Sequence, residues 1–316
     1  MLLIGLALFS NIAMAAETTV IRLGVLASGT LAWELAAMKN EDLLKGVDFE
    51  LDSITLANQQ AGKVALQAGS VDMIVSDWMW VSDMRGQGSD FSFYPYSASA
   101  GGLMVPVDSD IKNLADLKGK KLGIAGGELD KNWVLLQALA QKQQLDLNSS
   151  LEKVYGAPPL LNQQLTSHRI DALLTYWNFA ARLETQGYRQ LMSGEDIIRE
   201  LGVQETVPSL GYVFKQGWAD QHKTALQQFL KAAQAAKDKL CDSDQAWNKI
   251  VNLTETDDAT TQRQIRTRYC QGRVTQWGDT EQNVAGKIYQ LLQQVSGNKL
   301  TGKTGALQTG TFWPAN

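Results

Sequence analysis

The sequence predicts an α/β chain made of two similar lobes and finished by a helical tail. Three observations lead there. From Val20 to Leu174 strand signals alternate with helix signals, the order that gives a parallel sheet covered on both faces. Part of that text occurs twice: Leu66-Gln-Ala-Gly-Ser-Val71-Asp72-Met-Ile-Val-Ser-Asp77-Trp78 aligns without gaps with Leu165-Thr-Ser-His-Arg-Ile170-Asp171-Ala-Leu-Leu-Thr-Tyr176-Trp177. Each copy reads as a helix end, a tight turn, a β-branched residue before Asp, an apolar strand, and a Trp beyond the strand's carboxyl end. After residue 205 the composition becomes Ala-, Gln- and Lys-rich with few β-branched runs, which favours helix.

Taken in order, Ile21 to Leu26 is a first strand and Leu31 to Met38 the helix after it. Phe49 to Leu56 is a second strand, of mixed polarity. Gln59 to Ala68 carries apolar residues at helical spacing until Gly69 stops it, and Val71 to Val75 is a buried third strand. These form a βαβαβ unit. A second series begins near Asp108 with a short helix at Leu114 to Lys118 and a strand at Lys121 to Ala125. Gly126-Gly127 then opens a long helix reaching about Gln144. A strand at Lys153 to Tyr155 leads through Pro158-Pro159 into a helix at Leu160 to Thr166, and Ile170 to Leu174 closes the series. Pro208 to Phe214 is a strand. Helices follow at Asp220 to Lys239, Asp244 to Asn252, Asp258 to Tyr269 and Thr280 to Val295, and Asn298 to Asn316 reads as a loosely held terminus on which Phe312 and Trp313 can dock.

The composition limits the function. The chain has 316 residues, 44% hydrophobic and 20% charged, which is ordinary for a globular protein of about two domains. Lys+Arg 29 against Asp+Glu 33 leaves a net charge of -4, so no broad basic surface exists to hold a phosphate backbone and nucleic acid is not an expected partner. Met1 to Ala16 is apolar and uncharged and ends in Ala13-Met14-Ala15-Ala16, too short to span a bilayer and suited to signal peptidase. It reads as a signal peptide, although the basic residues that usually begin one are missing. No Cys follows the cleavage point to take a lipid, so a free periplasmic location is expected. An exported location permits Cys241 and Cys270 to pair; the alternative is two unpaired small hydrophobes. Two Cys with His168 and His222 show no metal-ligand spacing, and no cofactor motif is present.

Ligands of open parallel sheets bind at the strands' carboxyl ends. The residues there are Ser28, Gly29 and Thr30 after the first strand, Asn58 after the second, Asp77 and Trp78 after the third, and Gly127, Glu128, Tyr176, Trp177 and Asn178 in the second series. Indole and phenol rings among small polar groups suit a compact pocket that sandwiches a small molecule. Other readings stay open. Both tryptophans can be wedges between sheet and helix, Asp77 a cap for the helix carrying Trp80 and Met84, and Ser28-Gly29-Thr30 a helix cap. Asp72 and Asp171, at the starts of their strands, read as structural turn elements. Glu128 and Asp130, in the first turn of their helix, already satisfy its positive end and disfavour a fully anionic ligand.

Asn113-Leu-Ala-Asp-Leu-Lys-Gly-Lys-Lys-Leu-Gly-Ile-Ala-Gly-Gly127 and Asp171-Ala-Leu-Leu-Thr-Tyr-Trp-Asn-Phe-Ala-Ala-Arg-Leu-Glu184, with Gln67-Ala-Gly-Ser-Val-Asp-Met-Ile-Val75, resemble the periplasmic substrate-binding proteins of ABC importers. The branch resembled serves nitrate, sulfonates, taurine and the thiamine pyrimidine precursor. The resemblance implies a two-lobed periplasmic-binding-protein-like (type II) fold with two crossover segments, near Ser97 to Val107 and Thr206 to Phe214. Lobe one then comprises residues 17–105 plus 206–316, and lobe two 106–205. It implies a monomer that closes on a small organic solute and presents it to an ABC permease, with contacts from the loops named above and from Ser97. Two departures stand out. The second lobe's turn has Gly126-Gly127-Glu128 where oxyanion binders usually show Ser or Thr, and the family's frequent Trp-Glu-Pro is Trp177-Asn178-Phe179 here. Two other readings remain: an enzyme on the same fold using Asp77 or Glu128, and a sensory or accessory binding protein.

Overall fold

The computed structural model describes residues 18–27, 29–296 and 301–314, so the expected signal segment and Ser28 lie outside the described residues. The strands are β1 (Thr19–Leu26), β2 (Phe49–Leu56), β3 (Met73–Asp77), β4 (Phe91–Ser97), β5 (Gly102–Pro106), β6 (Lys121–Ala125), β7 (Glu152–Gly156), β8 (Ala172–Thr175), β9 (Tyr188–Ser193) and β10 (Leu210–Lys215). The helices of the first half are α1 (Leu31–Asn40), α2 (Gln59–Gln67), α3 (Trp78–Gly86), α4 (Lys131–Lys142), α5 (Leu147–Ser150) and α6 (Pro158–Thr166). Those of the second half are α7 (Trp177–Glu184), α8 (Gly194–Leu201), α9 (Gln216–Gln221), α10 (Lys223–Asp242), α11 (Asp244–Asn248), α12 (Ala259–Gln271) and α13 (Asp279–Ser296).

The strands form two five-stranded sheets, ordered β2-β1-β3-β10-β4 and β7-β6-β8-β5-β9. The two orders are one pattern used twice, as the repeated text predicts. Its Asp residues show why. Asp72 accepts the Arg22 N–H on Oδ2 (2.9 Å) and returns its own N–H to the Arg22 carbonyl (2.8 Å). Asp171 repeats this on Lys121, at 2.7 and 2.9 Å. Each carboxylate thus pins the turn entering a central strand to the strand beside it, a structural task that requires Asp at that point.

Two expectations need correction. The sheets are mixed rather than wholly parallel, because β10 runs antiparallel to β3 and β4, and β5 antiparallel to β8 and β9. These are the strands that follow each crossing, so they enter a sheet from its far end. The division expected after residue 105 also falls too late. β5 pairs within the second sheet, so the chain crosses at residues 98–101 and returns at 202–209.

One face of the first sheet is covered by α1, α10 and α12 around Leu23, Met38, Phe214 and Phe229. The opposite face packs Leu66, Ile74, Trp78 and Phe93 into a core that continues into the second lobe through Leu103, Ile124, Trp133 and Leu136, joined by α13 lying on α4. Cys241 and Cys270 are bonded, with Cα atoms 5.6 Å apart, tying the end of α10 to α12. The described part of the terminal segment, residues 301–314, is held firmly rather than loosely. Phe93 donates its N–H to the Thr311 carbonyl (2.8 Å) and accepts from the Trp313 N–H (2.9 Å), closing the free edge of β4. The Arg85 guanidinium secures this by donating to the Thr309 carbonyl at 2.7 Å and the Phe91 carbonyl at 2.8 Å. No described helix is long and apolar enough to cross a membrane.

Candidate functional site

Loops from the carboxyl ends of the parallel strands meet between the lobes. On the second lobe, Gly126 and Gly127 have φ of +90° and +94°, a left-handed run that side chains resist. Gly126 is further constrained because a Cβ there would lie 2.8 Å from Tyr176 Oη and 3.0 Å from Asp130 Oδ2. The double glycine therefore folds the turn back so that Asp130, not Glu128, caps α4. Asp130 Oδ1 accepts the N–H groups of Asn132 (2.9 Å) and Trp133 (3.1 Å), whereas Glu128 is exposed and lies before the helix. The expectation that both acids occupy the first helical turn is corrected accordingly.

Asp130 is the most perturbed carboxyl at the site. Burial pushes it up to about 6, against the pull of its two backbone donors and of Lys131. Burial likewise lowers Lys131, which the charges of Asp77 and Asp130 oppose. Asp77 ends β3 of the first lobe, so carboxylates from both lobes act on one ammonium. Tyr176 is driven up to about 12 by burial and by the charge of Asp130. Asp77 also caps α3, accepting the Trp80 N–H on Oδ1 at 2.8 Å, and its Oδ2 lies 3.6 Å from Lys63 Nζ. A hollow beside the crossings, bordered by Ala98, Ala100, Lys131, Asn132 and Gly194, has a volume of about 30 Å³.

The other predicted residues lie in different places. Trp177 stands half-buried at the lobe boundary, 6.2 Å from the rings of Trp33 and Tyr269 in the first lobe. Thr30 precedes α1, its Oγ1 3.4 Å from Tyr96 Oη, and Gly29 donates to the Leu26 carbonyl at 3.0 Å. Ser97 is buried, donating to the Gly272 carbonyl (3.4 Å) and accepting from Ser99 N–H (3.1 Å). Asn58 is an exposed cap for α2, accepting from Ala61 N–H at 2.9 Å, and buried Asn178 offers its carbonyl to Arg182 at 3.2 Å. Trp78 is the clear correction. It is 2% exposed and packs edge-on to Phe312 at 6.2 Å, so it is a core wedge of the first lobe and does not line the cleft.

Trp33, Tyr269, Lys131 and Tyr96 escaped sequence reasoning. Lys131 was signalled only by its place beside the cap Asp130. Trp33 and Tyr269 meet across 235 intervening residues, and no local pattern announces that. Trp33 Nε1 donates to the Leu253 carbonyl (3.0 Å), and Tyr269 is set by a buried network: Glu34 Oε1 accepts from Tyr269 Oη (2.8 Å) and Oε2 from Tyr212 Oη (3.3 Å). Lys237 Nζ lies 3.3 Å from Glu34 and donates to the Tyr96 carbonyl at 2.5 Å. Further hydrogen bonds to both partners of the buried pair offset the cost of taking the charges out of water. Among the described residues no cluster of three His, Cys, Asp or Glu side chains is arranged to hold a metal ion.

Two mixed sheets joined by two crossings, with loops converging from both, define a two-lobed class of α/β proteins. A family model described as NMT1/THI5 like matches residues 58–246, more than half of the chain, and the chain belongs to that family. Solved structures share the fold. The alkanesulfonate-binding protein SsuA from Xanthomonas axonopodis pv. citri bound to MOPS is 18% identical with a TM-score of 0.72, covering 95% of this chain and 99% of that one. The periplasmic aliphatic sulphonate binding protein SsuA from Escherichia coli is 19% identical with a TM-score of 0.74, covering 94% and 93%. The periplasmic nitrate-binding protein NrtA from Synechocystis PCC 6803 is 14% identical with a TM-score of 0.54, covering 76% and 66%. No curated protein sequence matches the chain.

Proposed function

We propose that this chain is a periplasmic receptor that captures a small organic solute between its lobes and delivers it to an ABC permease. The observation that carries the reading is that Asp77 of one lobe and Asp130 of the other, each beside the carboxyl ends of its sheet, both act electrostatically on Lys131. A solute touching both lobes favours the closed form by the difference between its affinities for the closed and open forms. The named charges, Asp77 and Asp130 against Lys63 and Lys131, balance, and exposed Glu128 adds one negative charge nearby. That balance supports a neutral, zwitterionic or cationic solute over a fully anionic one. Export by cleavage after residue 16, action as a monomer, and contacts from Gly29, Thr30, Ser97, Gly127, Tyr176 and Trp177 complete the proposal. Native mass spectrometry of the exported protein, purified without refolding, tests it. A small molecule released unaltered on denaturation is the expected result, and release of a chemically converted product would overturn the receptor reading.

A further inference from the structure

The lobes also touch along a line that involves neither the crossings nor Asp77 and Lys131. Helix α7 of the second lobe packs against α12 of the tail. At its start, Trp177 meets Tyr269 with centroids 6.2 Å apart. Near its end, the Glu184 carboxylate is held by the Arg268 guanidinium through both Nη2 and Nε, the latter at 3.2 Å, and by Gln264 Nε2 at 2.5 Å. Beyond it, Thr185 Oγ1 and Thr261 Oγ1 are 2.7 Å apart. Arg182 Nη2 reaches across to the Thr254 carbonyl at 2.7 Å and to Glu255 at 3.5 Å. The α12 side of this line is anchored from behind. Cys270 is bonded to Cys241 of α10, and Tyr269 donates to the buried Glu34.

We propose that α12 is a latch for the second lobe and that Glu184 and Arg268 are its positioning pair, setting how much of the protein is open at any moment. Charge-assisted hydrogen bonds in a two-pronged arrangement are the strong ones, and Glu184 receives three from the opposite lobe. For the lobes to part along this line, those bonds must break, because the disulfide prevents α12 from following α7. The disulfide thereby acts on solute retention through α12. The consequence for retention rests on the receptor reading; the latch itself does not.

The test uses the full oxidised chain with no solute added. Nitroxide labels at the exposed positions Val64→Cys in α2 and Leu160→Cys in α6 report the lobe separation by pulsed dipolar spectroscopy. Glu184→Gln and Arg268→Gln should each raise the longer-distance population by about tenfold, and Glu184→Arg combined with Arg268→Glu should return it toward the parent value. Thr185→Val, which removes one hydrogen bond from the same line, should shift it in the same direction by less. Glu152→Gln, in the exposed pair with Lys121 at 3.2 Å, should leave it unchanged. Unaltered distances in folded Glu184→Gln and Arg268→Gln overturn the latch whether or not the chain binds a solute. A chain that binds none leaves the distance result standing.

Discussion

Trp78 and Trp177 occupy the same place in the repeated unit, yet one is sealed behind its sheet and the other stands at the lobe boundary. Their substitutions should therefore separate. Trp78→Ala should cost about 3–5 kcal/mol of stability, measured by urea unfolding, with solute affinity unchanged. Trp177→Ala should weaken solute binding by roughly tenfold, measured by calorimetry, since it loses an aromatic surface shared by both lobes. Asp130 gives a second residue-scale prediction. Its folded value of about 6 stands above the ordinary 3.8, so the folded state binds more protons than the unfolded chain between those values. Stability attributable to Asp130 is then greatest below about pH 4 and is lost as pH rises through about 6. Asp130→Asn keeps an equally good helix cap and should remove that decline when unfolding is followed from pH 4 to 7. At this scale the sequence revealed roles that are local, such as the turn-pinning of Asp72 and Asp171 and the cap Asp77, while Asn58, also a cap, reads there as a ligand contact. It did not reveal which of two equivalent indoles is sealed in the core, because Phe312, which covers Trp78, comes from the far end of the chain.

Elements were legible where periodicity and punctuation agreed. β2 and β6 have the limits that their text predicts, and α10, α12 and α13 follow the helical composition of the tail. β4, β5 and β9 were missed for distinct physical reasons. β4 contains Pro95, which suits an edge position but interrupts the strand signal. β5 is short and framed by Gly101-Gly102 and Pro106, so it reads as part of the crossing. β9, Tyr-Arg-Gln-Leu-Met-Ser, is an edge strand too polar to show an apolar run. The terminal segment was misjudged because its Gly and Thr suggest looseness, while its anchorage comes from Arg85 and the edge of β4. Removing residues 301–316 should expose that edge together with the Trp78 and Phe93 rings. We expect the melting temperature to fall by at least about 5 °C, with aggregation on heating, in a calorimetric scan.

At the scale of the whole molecule, the repeated sheet order, the two crossings and the family match converge on one mechanical design: two lobes that share a groove. The repeat and the change in composition made this design readable from the sequence. The closeness of the lobes was not readable, because it depends on α7 meeting α12 and α13 meeting α4, contacts between segments far apart in the chain. In this account the lobes part to admit an organic molecule and close upon it. Small-angle X-ray scattering, recorded with and without a compound that raises the melting temperature, addresses this most directly. The account predicts that the compound narrows the population to the compact form and lowers the radius of gyration. Tight binding with superimposable scattering curves would contradict it.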